Sequence, residues 1–118
     1  MALSMQHVHL KTRDVQQTIR YYMENFGATM KAEIPGRGFQ LDLHGVQLNI
    51  TGIISEQKHT QHYGIEHMAV VTDDFPATLT KLRQNGVAIL EELTGSNGKR
   101  VAFVQAPDEA QMEIIEKA

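Results

Sequence analysis

A chain of 118 residues with 42% hydrophobic and 21% charged residues has the make-up of one globular domain, long enough to bury a core. Its net charge of −3 exerts no pull toward nucleic acid or an anionic membrane, and the lack of cysteine excludes disulfides, thiolate metal sites and cysteine nucleophiles. No apolar run reaches membrane-spanning length, and the first residues lack a secretory-signal pattern, so a cytoplasmic protein with neither nucleic-acid nor membrane partners is expected.

In chain order, Val8, Leu10 and Thr12 alternate with His7, His9 and Lys11, which reads as a strand. Asp14, with Gln17 three residues on, starts a helix that shows Ile19, Tyr22, Met23 and Phe26 as an apolar stripe and ends at Gly27. Strands are then expected over 29–33, 39–43 and 46–50, separated by turns at 35–38 and at Gly45, with His44 as a turn residue. Gly52 to Gly64 reads as a polar linker in which His59 and His62 are solvated. A second strand, helix and three strands follow: His67 to Thr72, a helix opened by Asp74 and Pro76 and closed near Gly86, then 88–93, 100–105 and 112–116. Turns over 94–98 and 107–109 separate the last three.

The two halves repeat. Gln6–Asn25 lies over Glu66–Asn85 at a constant offset of 60, matching His7 with His67, Thr12 with Thr72, Asp14 with Asp74, Thr18 with Thr78 and Asn25 with Asn85. The chain therefore reads as α+β, one domain of two tandem βαβββ modules: module one over 5–51, a linker over 52–64 and module two over 65–117. Functional positions should then come in pairs. His7 and His67 form one, and counting from the module ends sets Gln47 against Glu113. Two imidazoles, a carboxylate and an amide oxygen suit a divalent metal with positions left for water or substrate.

In H7-V-H-L-K-T-R-D-V, I65-E-H-M-A-V-V-T-D-D-F and V101-A-F-V-Q-A-P-D followed by M112-E-I-I-E, the chain resembles the vicinal oxygen chelate superfamily of glyoxalases, bleomycin-resistance proteins and dioxygenases. The resemblance implies a U-shaped open mixed β-barrel around a cleft and one divalent ion, Ni, Mn, Fe, Co or Zn. It assigns His7, His67 and Glu113 as metal ligands, Gln47 as the fourth ligand that some members add, and Glu113 also as the catalytic proton carrier. His9, Asn49, Lys99 and Arg100 are candidate substrate contacts. The activity implied is a glyoxalase I-type lyase or isomerase working on a small substrate with vicinal oxygens through a metal-stabilised enediolate, in a homodimer. The alternatives are an extradiol-type ring-cleaving dioxygenase and a non-catalytic sequestering protein. One departure is A106-P-D-E-A, where the family usually has D-P-D-G.

Overall fold

The computed structural model describes residues 2–95 and 97–118; Ser96, in the expected turn over 94–98, lies outside the described residues. The elements are β1 (Leu3–Lys11), α1 (Val15–Phe26), β2 (Thr29–Ile34), β3 (Gly38–Leu43), β4 (Val46–Thr51), β5 (Gly64–Thr72), α2 (Phe75–Gln84), β6 (Ile89–Thr94), β7 (Arg100–Gln105), a 3₁₀ turn (Pro107–Glu109) and β8 (Gln111–Glu116). This is the βαβββ pattern twice over. One compact unit is His7–Glu66; the other is His67–Ala118 together with the residues up to Gln6.

In the unit His7–Glu66 the strand order is β1-β4-β3-β2, with β1 parallel to β4 and the other pairs antiparallel. Strand alternation sends Leu10, Leu41, Leu48 and Ile50 to one face, where α1 covers them with Ile19, Val15 and Tyr22. Each such aliphatic side chain, fully buried, contributes about 1.5–3 kcal/mol. Asp14 caps α1 by accepting from the Gln17 amide at 3.0 Å. Gly27 ends it in the left-handed region at φ 75°, a conformation that glycine adopts without the strain a Cβ brings. The chain then turns Ala28 into the core. Of the expected stripe, Met23 and Phe26 are exposed, because the last turn of the helix runs past the apolar surface that Ile19 and Tyr22 cover. His44 is a turn residue as expected, at φ 52° beside Gly45 at φ 94°, and its ring N–H donates to the Phe26 carbonyl at the helix end, 2.7 Å away.

The other unit repeats this plan with β5 parallel to β8 and the order β5-β8-β7-β6. Phe75 and Leu79 of α2 pack with Ala102, Val104 and Ile114, joined by Val70, Leu82 and Ile89. Asp74 caps α2 through the Ala77 amide, again at 3.0 Å. Ala2 belongs here, exchanging hydrogen bonds with Asp73.

The segment between β4 and β5 is not the solvated linker that its composition suggests. Ile54 and His59 are buried, and the Gln61 side chain bonds the backbone of Ile54 and Gln57. The cause is Lys11. Its fully buried ammonium lies 3.4 Å from the equally buried Glu66 carboxylate and donates to the side-chain oxygens of Gln57 and Gln61. A buried charge must be paired and hydrogen-bonded, so the segment folds back to do it.

Candidate metal centre

On β5, β7 and β8 the face turned away from α2 carries His67 and Ala69, Phe103, and Glu113 in turn, the residues that alternate with the core set. The His67 ring stands edge-on to Phe103, with centroids 5.3 Å apart and planes at 81°. Its Nε2 is 3.2 Å from Glu113 Oε1; the His67 side chain is 1% exposed and that of Glu113 is 14% exposed. A rigid, hidden imidazole thus stands beside a carboxylate that retains access to solvent.

On β1 and β4 the face away from α1 carries His7, His9 and Lys11 beside Gln47, Asn49 and Thr51. His7, His9 and Lys11 are all buried. The rings of His7 and His9 lie 5.8 Å apart. His9 Nε2 is 2.8 Å from Thr51 Oγ1, and the Thr51 hydroxyl donates to the Gly52 carbonyl at 2.8 Å. The Gln47 amide oxygen accepts from Lys31 Nζ at 2.5 Å, and its NH₂ donates to Asn49 Oδ1 at 2.9 Å.

Strand register revises one pairing. Asn49 is level with His9, whereas Glu113 is level with Ala69, sixty positions after His9. The counterpart of Glu113 is therefore Asn49, and Gln47 answers to Gln111. Counting from module ends slipped by two residues, a slip that keeps every side chain on its proper face and is invisible to alternation.

Two candidate substrate contacts lie elsewhere. Arg100 is on the α2 side, in step with Ala102 and Val104: its guanidinium binds Glu116 at 2.6 Å and sits 5.0 Å from the centroid of the Phe75 ring. The hydrogen bonds from Arg100 pull the Glu116 carboxyl down to about 2, and Glu116 in turn raises Arg100. Lys99 is in the loop before β7, its backbone tied to Gly95 and to the Asn97 side chain. Sequence reasoning missed Thr51 as the residue that orients His9, and Lys11 as an organising charge. The His-x-His-x-Lys row at i, i+2, i+4 was the available signal.

Imidazole beside carboxylate on adjacent strands is a donor set that a divalent ion accepts, so His67 and Glu113 fit the divalent ion that the resemblance implies.

The sequence profile of the Glyoxalase/Bleomycin resistance protein/Dioxygenase superfamily matches residues 4–114, and the chain belongs to this superfamily. It is 28% identical over 126 residues to the uncharacterized protein YwbC of Bacillus subtilis (strain 168), covering 99% of this chain and all of that one. It is 26% identical over 124 residues to a lactoylglutathione lyase of Arabidopsis thaliana, covering 94% of this chain and 43% of that longer one. Among solved structures, a hypothetical protein of Bacillus halodurans C-125 superposes with TM-score 0.76 at 17% identity, over 100% of this chain and 96% of the other. Methylmalonyl-CoA epimerase of Mycobacterium tuberculosis does so with TM-score 0.72 at 21% identity, over 97% and 87%. These two share the fold. Among the described residues, no helix is long and apolar enough to cross a membrane.

Proposed function

We propose that the protein is a metal-dependent lyase or isomerase that moves a proton on the carbon beside a substrate carbonyl. The observation that carries this reading is the His67–Glu113 pair, 3.2 Å apart, with a partly open carboxylate next to a buried imidazole. His67 and Glu113 would hold one divalent ion, which when bound supplies Lewis-acid stabilisation of the charge that develops on vicinal substrate oxygens. Glu113 accepts the proton from the carbon alpha to the carbonyl and returns it to that carbon or its neighbour, so atoms and charge balance without a redox partner. His67, wedged against Phe103, keeps the carboxylate's surroundings rigid; rigid elements hold a proton-transfer geometry better than loops do.

The test begins with binding. Wild type, His67→Ala and Glu113→Gln are titrated with Ni, Mn, Fe(II), Co and Zn, and 1:1 binding lost in both variants is expected. S-lactoylglutathione and methylmalonyl-CoA, probes suggested by the relatives, are then incubated with metal-loaded protein in D₂O, and metal-dependent deuterium uptake alpha to the carbonyl is followed by NMR. Wild type binding no metal above the variants, or an unchanged exchange rate in Glu113→Gln, overturns the reading. The first outcome would leave a metal-free binding protein.

A further inference from the structure

The faces turned away from the two helices differ at the two places where a metal donor matters. In the unit containing His67, the level next to it pairs Ala69 with the carboxylate of Glu113. In the unit containing His7, the same level pairs His9 with Asn49. A methyl group has become an imidazole on one strand, while a carboxylate has become a neutral amide on the other. The strong donor has crossed from the last strand of the module to the first.

We propose that His9 is a metal ligand alongside His7, taking the place that a carboxylate at Asn49 would fill; the proposal rests on the metal reading above and names a donor that this reading does not include. Three observations support it. First, one ring nitrogen of His7 and one of His9 lie within 4.8 Å of each other. Two nitrogens bound to one tetrahedral ion at ~2.0–2.1 Å are about 3.4 Å apart, so modest side-chain rotation closes the pair.

Second, the hydrogen bonding of His9 is that of a ligand held by an outer partner. With the single proton of the Thr51 hydroxyl given to the Gly52 carbonyl, Thr51 Oγ1 accepts from His9 Nε2–H. In the neutral ring this makes Nδ1 the lone-pair nitrogen. A coordinating histidine typically donates its other N–H to an oxygen, which fixes the tautomer and turns the lone pair to the ion.

Third, the nearby amides are poor competitors. Gln47 holds a lysine ammonium on its oxygen, so a second cation there would meet Lys31. Asn49 Oδ1 already accepts from Gln47.

The deciding experiment is NMR on protein with ¹⁵N-labelled histidine, reading long-range ring correlations with and without Zn(II). Before metal, the resonances lost in His9→Ala should show an Nε2–H ring. On titration, its Nδ1 signal should move to a metal-bound position at one equivalent, together with a signal of His7. If His67 moves and His9 does not, His9 is no ligand although the metal reading stands. If no histidine responds, the metal reading itself falls.

A second arm reads affinity. His9→Ala should weaken Zn(II) binding by at least ~10–100-fold, and Thr51→Val by about 10-fold. The double variant His9→Ala/Asn49→Glu copies the arrangement of the other unit and should recover most of the lost affinity. Failure of the double variant to bind better than His9→Ala, in folded protein, counts against the proposal.

Discussion

The start of α1 recurs at α2 almost atom for atom, whereas the strand faces turned away from the two helices have diverged. Thr12 and Thr18 share a hydroxyl hydrogen bond of 2.7 Å; Thr72 and Thr78 share one of 2.6 Å. The amides of Asp14 and Asp74 each donate to the preceding threonine at 3.2 Å. Both units also carry a bulge on the strand that follows the helix, between Met30 and Ala32 in one and between Ile89 and Glu91 in the other. Against this sameness, the row His9, Lys11, Asn49, Thr51 corresponds by register to Ala69, Val71, Glu113, Ile115. Backbone-shaping residues are held in common and donor chemistry is not. The repeat therefore acts as a scaffold on which each copy has taken up a separate share of the polar groups.

The sharpest way to break this comparison is at Lys11, whose counterpart is Val71. Lys11→Met removes the ammonium 3.4 Å from the fully buried Glu66 carboxylate, and chemical denaturation should show a loss of about 3–5 kcal/mol. The double variant Lys11→Met/Glu66→Leu removes both charges and should recover much of it. If the single change costs under ~1 kcal/mol, the pair does not organise the segment between β4 and β5.

Gly38 is the next test. A Cβ there would meet the Ile50 carbonyl oxygen at 1.9 Å, yet the residue level with it in the other unit is Val101. Gly38→Ala should cost about 1–3 kcal/mol by the same measurement, since overpacking against backbone cannot be relieved by a rotamer change. A neutral result would mean that β3 and β4 approach no more closely than β7 and β8 do.

The turn between β7 and β8 carries a cost that its counterpart avoids. Asp108 and Glu109 lie at φ 58° and 68°, whereas the hairpin between β3 and β4 uses Gly45 for one of its two left-handed residues. Aspartate tolerates that region better than glutamate. Glu109→Gly should therefore raise stability by about 1 kcal/mol, read as a higher melting temperature, and no gain would show that the turn holds no strain.

The smallest effect is electrostatic. Because the folded state holds Glu116 at about 2 against an ordinary 4.5, its ion pair with Arg100 stabilises fully above pH 4.5 and is lost as pH falls toward 2. Both partners are at the surface, so salt screens the pair. Glu116→Gln should flatten the acid limb of the stability profile slightly at low salt and leave neutral pH nearly unchanged. An unaltered acid limb would mean that the pair contributes nothing measurable.

Much of this was legible in the chain because it is local. Alternation and end signals within a few residues define β1, the Asp14 and Asp74 caps and the Gly27 stop, and the offset of 60 declares the two modules before any packing is considered. Which face of each strand meets its helix followed as well, since a period of two leaves a single choice. What alternation cannot supply is level. The parallel pairing of β1 with β4 joins residues forty apart in sequence, and sliding it by two positions preserves every face, so only the folded sheet could put Asn49, and not Gln47, opposite His9. The same limit hid the segment from Gly52 to Gly64. Its residues are polar enough for solvent, and they are drawn inward because a lysine on one strand and a glutamate 55 residues later must neutralise each other once both are buried. The sequence by itself determined the repeated module, its caps and its family; tertiary structure decided strand register and the partners of buried charge, because both arise from contacts between residues far apart along the chain.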